Sequence, residues 1–277
     1  MRIRGNIRLT LSVAGFLFCS VAVGQDTVQL KKYFREVRTI NVSIGDKEYD
    51  FLFDTGGGET FISPAIADDL KKDVYGRVLG MRMNGEKVYY KKCDSIAIDI
   101  GPITVHHTTV GIWDVMSVLP KELPTVDGVI SLKSFEHMVI SIDLANDRII
   151  IETPASFSKR TKTMTLLNSR FASGPGGNEL TVFLGTTYNR RLYWFLFDTG
   201  NISECILSTQ TATEWSVHGN IDSLNGKFDN AVITLGKHRH LVNAQVKDIV
   251  YDGALDYALI SQAVYTIDLI KNRVWTK

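Results

Sequence analysis

From Gln25 onward, short apolar or alternating runs are separated by turn residues. Ile40-Asn41-Val42-Ser43-Ile44 precedes Gly45-Asp46, and Tyr49 to Phe53 follows. A two-residue period of this kind puts alternate side chains on opposite faces, so these runs read as β-strands. Val78 to Met83, then Asn84-Gly85, then Lys87 to Tyr90 predicts a hairpin, because Asn-Gly suits the positive backbone angles of a type I′ turn. Helical signals are few. In Ser63-Pro64-Ala65-Ile66-Ala67-Asp68-Asp69-Leu70, Ser63 can cap free backbone N–H groups and Pro64 fits the first helical position. The pattern predicts a mostly β protein with few short helices.

The first 24 residues follow another rule: Arg2, Arg4 and Arg8 precede an apolar run from Leu9 to Val23 that closes on Ala22-Val23-Gly24. This is the form of a cleavable export signal, too short for a membrane span, with cleavage expected after Gly24. The bulky Phe18 before Cys19 speaks against lipid attachment there. The mature chain is therefore expected to be secreted or periplasmic, in the manner of a bacterial exported protein, with no integral membrane span. Removing the signal leaves 28 basic against 30 acidic residues, a balance that does not steer toward nucleic acid. With 44% hydrophobic and 22% charged residues over 277 positions, the chain is neither disordered, collagenous nor a multi-span membrane protein. Only Cys93 and Cys205 remain after cleavage, enough for one disulfide but not for a disulfide-built scaffold.

The decisive pattern is a repeat. Phe51-Leu52-Phe53-Asp54-Thr55-Gly56 recurs unchanged as Phe195-Leu196-Phe197-Asp198-Thr199-Gly200. Each copy follows a strand, a Gly turn (Gly45, Gly185) and a second strand, and precedes a capped helix near Ser63 or Ser208. Further on, Ser95 to Gly101 matches Asn230 to Gly236, Asp127-Gly128-Val129-Ile130 matches Asp252-Gly253-Ala254-Leu255, and Ser141 to Arg148 matches Thr266 to Arg273. The organisation expected is a signal at 1–24, a first lobe at 25–152, an exposed connection at 153–177 and a second lobe at 178–277.

These residues resemble the pepsin and retropepsin superfamily of aspartic peptidases, which carries Asp-Thr-Gly at the end of an apolar strand in each of two lobes or subunits. Asp127-Gly128-Val129-Ile130-Ser131-Leu132 is similar to the family's Asp-Gly-Ile-Leu-Gly-Leu segment, which supports the active-site loop. The resemblance implies a bilobal pepsin-like fold made of two retropepsin-like β-barrel lobes. It implies hydrolysis of peptide bonds by a water activated between Asp54 and Asp198, since two carboxylates about 3 Å apart cannot both ionise and so share a proton. It further implies that Thr55 and Thr199 lock the two loops together, that Gly56 and Gly200 permit close backbone approach, and that Arg82, Met83, Asn84, Gly85 and Glu86 form a flap over a peptide or protein substrate. No cofactor or metal is required, and a monomer is expected because both carboxylates lie in one chain.

Several positions depart from the family pattern. Gly57 and Asn201 stand where pepsins use Ser or Thr, Ser131 and Asp256 stand where Gly is expected, and motif and support are 73 positions apart in the first lobe but 54 in the second. The second lobe therefore reads as more degenerate, with its own flap reduced or absent. Two alternatives stay open: a catalytically weak or inactive peptide-binding protein on the same fold, and a dimer that uses Asp54 from each copy. Other constellations are weak. His238 and His240 can share a strand face but lack a third ligand, His106 and His107 point to opposite faces, and no phosphate loop or serine-hydrolase elbow occurs. Cys205 reads as a core residue, with a Cys93–Cys205 disulfide left open.

Overall fold

The computed structural model of the chain describes residues 25–174, 177–215, 220–222 and 226–277, the segment 220–222 by its backbone. The expected export signal, with Cys19, lies outside the described residues. The protein is mostly β and pepsin-like in fold, with one 13-stranded and one 8-stranded sheet.

In the first lobe, Arg38–Ile44 turns at Gly45, which has φ +61°, and returns antiparallel as Lys47–Phe53, the strand that ends at the first motif. That strand pairs in parallel with Gly128–Ile130. In the second lobe, Arg191–Leu196 leads to the second motif and pairs in parallel with Gly253–Ala254. Each support strand crosses so near its neighbour that a side chain cannot fit: a Cβ at Gly128 would lie 2.3 Å from the Phe61 carbonyl, and one at Gly253 would lie 2.6 Å from that of Ile206. The helix Pro64–Asp69 is capped by Ser63, whose Oγ accepts from Ile66 N–H, and the helix Thr209–Trp215 is preceded by Ser208, whose Oγ accepts from Thr211 N–H.

The lobes are joined by a shared sheet. Val139–Asp143 and Tyr265–Asp268, the corresponding segments near the lobe ends, pair antiparallel with each other, Tyr265 opposite Ile142 and Thr266 opposite Ser141. Arg148–Ile151 and then Thr27–Lys32 flank one side, Arg273–Thr276 and then Thr165–Leu167 the other. The apolar core runs through both lobes. Phe51, Phe53 and Phe135 fill the first, while Trp215 in the second is packed by Tyr188, Tyr193, Phe195 and Phe228.

Two expectations are corrected, and the open question of a disulfide is answered. Gly185 is not a turn residue: it lies inside Thr181–Tyr188, where a Cβ would come within 2.8 Å of Asn168, and the chain turns instead at Asn189-Arg190, both with positive φ. The exposed connection at 153–177 carries a helix, Pro154–Thr161, and two strands, Thr165–Leu167 and Ser169–Ala172, which pair with Arg273–Thr276 and Thr181–Tyr188. The partner of Thr165–Leu167 lies about a hundred positions along the chain, so local composition could not show that strand. Cys93 and Cys205 are both free and buried, with no disulfide between them.

The histidine alternation holds. His106 is exposed, and His107 is buried with its ring beside Ser134 Oγ at 3.1 Å. Burial lowers its pKa to about 4. The unfolded chain therefore binds a proton that the folded chain refuses between roughly 6.5 and 4, so stability rises with pH through that window. We expect His107→Gln to flatten the acid side of the stability curve, by about 3 kcal/mol at most, in urea titrations run from pH 7 down to 4.

Candidate active site

Both motif aspartates sit where the apolar strands end and the loops from the two lobes meet. Asp54 Oδ1 accepts from Gly56 N–H at 2.9 Å, and Asp198 Oδ1 accepts from Gly200 N–H at 2.9 Å and Asn201 N–H at 3.1 Å. The loops are tied reciprocally. Thr55 N–H donates to Thr199 Oγ1 and Thr199 N–H to Thr55 Oγ1, both at 3.0 Å, while the Thr55 hydroxyl donates to the Phe197 carbonyl at 2.7 Å and the Thr199 hydroxyl to that of Phe53 at 3.4 Å. Each carboxyl lies against the glycine of the opposite lobe: a Cβ at Gly56 would fall 2.4 Å from Asp198 Cγ, and one at Gly200 would fall 2.8 Å from Asp54 Oδ1. Only glycine allows this approach.

The carboxyls of Asp54 and Asp198, each set against the glycine of the opposite loop, are close enough to interact electrostatically. Burial raises the pKa of Asp54 against the pull of the Gly56 and Gly57 N–H groups. Burial and the Asp54 charge raise Asp198 well above the ordinary carboxylate range. A pair of this kind keeps one proton where isolated carboxylates have lost theirs, so it presents one acid and one base to a water between them.

The hairpin arches over this pair. Tyr75–Met81 pairs with Lys87–Ile100, and the tip closes through Arg82 N–H to the Glu86 carbonyl at 2.8 Å and Gly85 N–H to the Arg82 carbonyl at 2.9 Å. The expected type I′ turn is not formed. Three residues, Met83, Asn84 and Gly85, span the tip, and of these only Gly85 has positive φ, because the register pairs Met81 with Lys87. Asn84 instead accepts from Glu86 N–H through its side chain. The tip reaches the second lobe. Val250 N–H donates to the Met83 carbonyl at 3.0 Å, and the Met83 side chain packs on the cluster of Phe183, Leu196, Ile206 and Ala254. The corresponding hairpin of the second lobe pairs only over Asn220–Asp222 among the described residues. Truncating Met83 to Ala removes the apolar contact while keeping the backbone bond, so the Val250 amide should exchange with solvent at least about tenfold faster in hydrogen-exchange measurements.

Residues 40–133, which include the first motif, the hairpin and the first support segment, match the family model described as aspartyl protease. The crystal structure of basic 7S globulin from soybean superposes with TM-score 0.56 at 9% identity, covering 91% of this chain and 94% of that one. Conglutin gamma, a basic 7S globulin from lupine seeds, superposes with TM-score 0.56 at 10% identity, covering 91% of this chain and 95% of that one. No curated protein sequence matches the chain. The first lobe is similar to the aspartyl protease family, and the whole chain has a pepsin-like fold.

The departures from the family pattern read in the sequence have local causes. Ser131 is fully buried and caps the turn Leu132–Phe135, its Oγ accepting from Lys133 N–H and lying 3.3 Å from Thr60 Oγ1. Asp256 caps Tyr257–Ile260, accepting from Leu259 N–H at 3.0 Å and from the Cys205 thiol at 3.2 Å. Asn201 directs its side-chain amide to the Glu204 and Leu255 carbonyls, and its backbone N–H rather than a hydroxyl serves Asp198. His238 and His240 lie on one strand face, and no group of three or more His, Cys, Asp or Glu able to hold a metal occurs among the described residues.

Sequence reasoning missed the charged floor of the cleft. Glu59 and Lys92 form a buried ion pair at 2.8 Å, with side chains 3% and 4% exposed, and the Tyr90 hydroxyl donates to the second Glu59 oxygen. Tyr90 and Lys92 share parity on their strand, so the alternation could have placed both inward.

Proposed function

We propose that the chain is an exported aspartic endopeptidase that hydrolyses peptide bonds with a water held between Asp54 and Asp198. The observation that carries this reading is the buried carboxyl pair, one from each lobe, fixed by the reciprocal threonine bonds. The ionised carboxyl takes a proton from the water, which attacks the scissile carbonyl carbon. The protonated partner donates to the carbonyl oxygen, and the roles reverse as the leaving amine is protonated. An extended peptide would lie as a strand beneath the hairpin, which must lift from Val250 to admit it.

Export rests on the apolar N-terminal segment alone. Among the described residues no helix is long and apolar enough to cross a membrane. A second reading, a peptide-binding protein with little or no turnover, is favoured by one feature: neither Gly57 nor Asn201 offers a side-chain hydroxyl to its carboxylate. Incubating the chain without its first 24 residues with a mixed peptide library across acid to neutral pH, beside Asp54→Asn and Asp198→Asn, separates the readings. Products formed by the wild type and lost in both variants are expected. A folded wild type that cuts nothing at any pH leaves the binding protein as the account.

A further inference from the structure

Beside the dyad, the cleft holds a carboxyl side chain, Glu179, with no hydrogen-bond or ion-pair partner among the described residues. The cavity under the hairpin has a volume of about 430 Å³ and joins an aromatic wall of Phe61, Tyr89 and Trp113 to the carboxyl groups of Glu59 and Glu179. Phe61 is braced edge-on by Tyr90 and Trp113, at ring separations of 5.0 and 5.7 Å. The other charges in this cavity are matched. Glu59 is paired with Lys92, and Arg82 faces Glu86 at 3.6 Å on the half-exposed hairpin.

Glu179 makes no hydrogen bond or ion pair among the described residues, and burial and the nearby Glu59 raise its pKa against the weaker pull of Lys92, which is itself paired with Glu59. It is accommodated by missing side chains: a Cβ at Gly58 would stand 2.8 Å from Glu179 Cβ, and one at Gly174 would stand 2.0 Å from its Oε2. Filling the cavity with a wholly apolar group would strip water from this carboxylate and leave it unpaired, which opposes binding. A long cationic side chain meets both demands, with its methylene stem on the aromatic wall and its head on the carboxylate.

We infer that this cavity receives a lysine or arginine side chain of the substrate and that Glu179 is the residue that selects it. Gly56 and Gly57, two and three residues after Asp54, line the same cavity, so the basic residue lies close to the bond presented to the dyad. The inference rests on the peptide-cleft reading above and adds to it the substrate class.

The test uses a panel of peptides in which lysine is scanned through each position, each paired with its acetyl-lysine counterpart, offered to the chain without its first 24 residues at near-neutral pH. Binding is read by fluorescence anisotropy and cleavage by mass spectrometry. At one position lysine should be preferred by roughly ten- to a hundredfold in affinity. Glu179→Gln should remove that preference while changing the affinity for acetyl-lysine peptides by less than about twofold. Equal affinity for the two peptides of every pair, no binding at all, or a preference that survives in Glu179→Gln overturns the inference. The wild-type comparison decides even if the variant fails to fold. Charge-selective binding without cleavage would uphold this inference and sink the peptidase reading, and cleavage without charge selection would do the reverse.

Discussion

Asp198→Asn is expected to lower peptide hydrolysis by roughly 10²–10⁴-fold, the range for loss of a positioned acid–base group, and at the same time to make the fold more stable above acidic pH. The two effects share one cause. Burial and the Asp54 charge raise the Asp198 pKa well above its ordinary value, so the folded chain keeps a proton that the unfolded chain has already released. Stability then falls as pH rises from the unfolded carboxylate's value, about 3.9, through the raised folded value. Asparagine has no proton to lose and can still accept from Gly200 and Asn201 N–H through its side-chain oxygen. Melting curves of wild type and variant should therefore coincide in strong acid and diverge toward neutral pH, with the variant higher. A variant that retains full hydrolysis would instead favour a dimer that brings together Asp54 from each copy.

The largest loss of stability is expected from Lys92→Met. Lys92 lies on the strand that carries the hairpin, and its partner Glu59 lies on the loop after Asp54, so their 2.8 Å contact ties the cover of the cleft to its floor. Removing one member of a buried pair leaves the other charge stripped of water, at a cost of about 3–5 kcal/mol, whereas removing both often costs little. Urea titration should show Lys92→Met well below wild type and Lys92→Met with Glu59→Gln recovering most of the difference. The Lys47–Asp69 pair is a fair control. It is as short, at 2.6 Å, but both side chains are more than half exposed, and Lys47→Met should leave the midpoint where it is.

What could be read in the sequence was whatever repeats or stays local. Two copies of Phe-Leu-Phe-Asp-Thr-Gly sufficed to bring Asp54 and Asp198 to one place, and Ser63 before Pro64 marked the helix start. The hairpin was legible as a hairpin, but its register was not. That register follows from the pairing of Met81 with Lys87, and Asn-Gly is compatible with both a two-residue and a three-residue tip. Glu179 and Glu59 are 120 positions apart, and neither stands in a motif, so their meeting across the cleft left no mark in either segment. The strand Thr165–Leu167 was hidden for a related reason: a three-residue run becomes a strand only when an edge receives it, here that of Arg273–Thr276.

The shared sheet also bears on how the molecule is made. The Ser141 and Thr266 hydroxyls lie 2.7 Å apart across the pairing of Val139–Asp143 with Tyr265–Asp268, so a strand from the middle of the chain waits for one near its end. During synthesis the first half leaves the ribosome with that strand's outer edge unpaired, and an open edge is a template for another chain. Early contacts between nascent neighbours are thus built into the order of synthesis. A chain stopped after the first half should satisfy its edge with a second copy of itself, giving a symmetric pair.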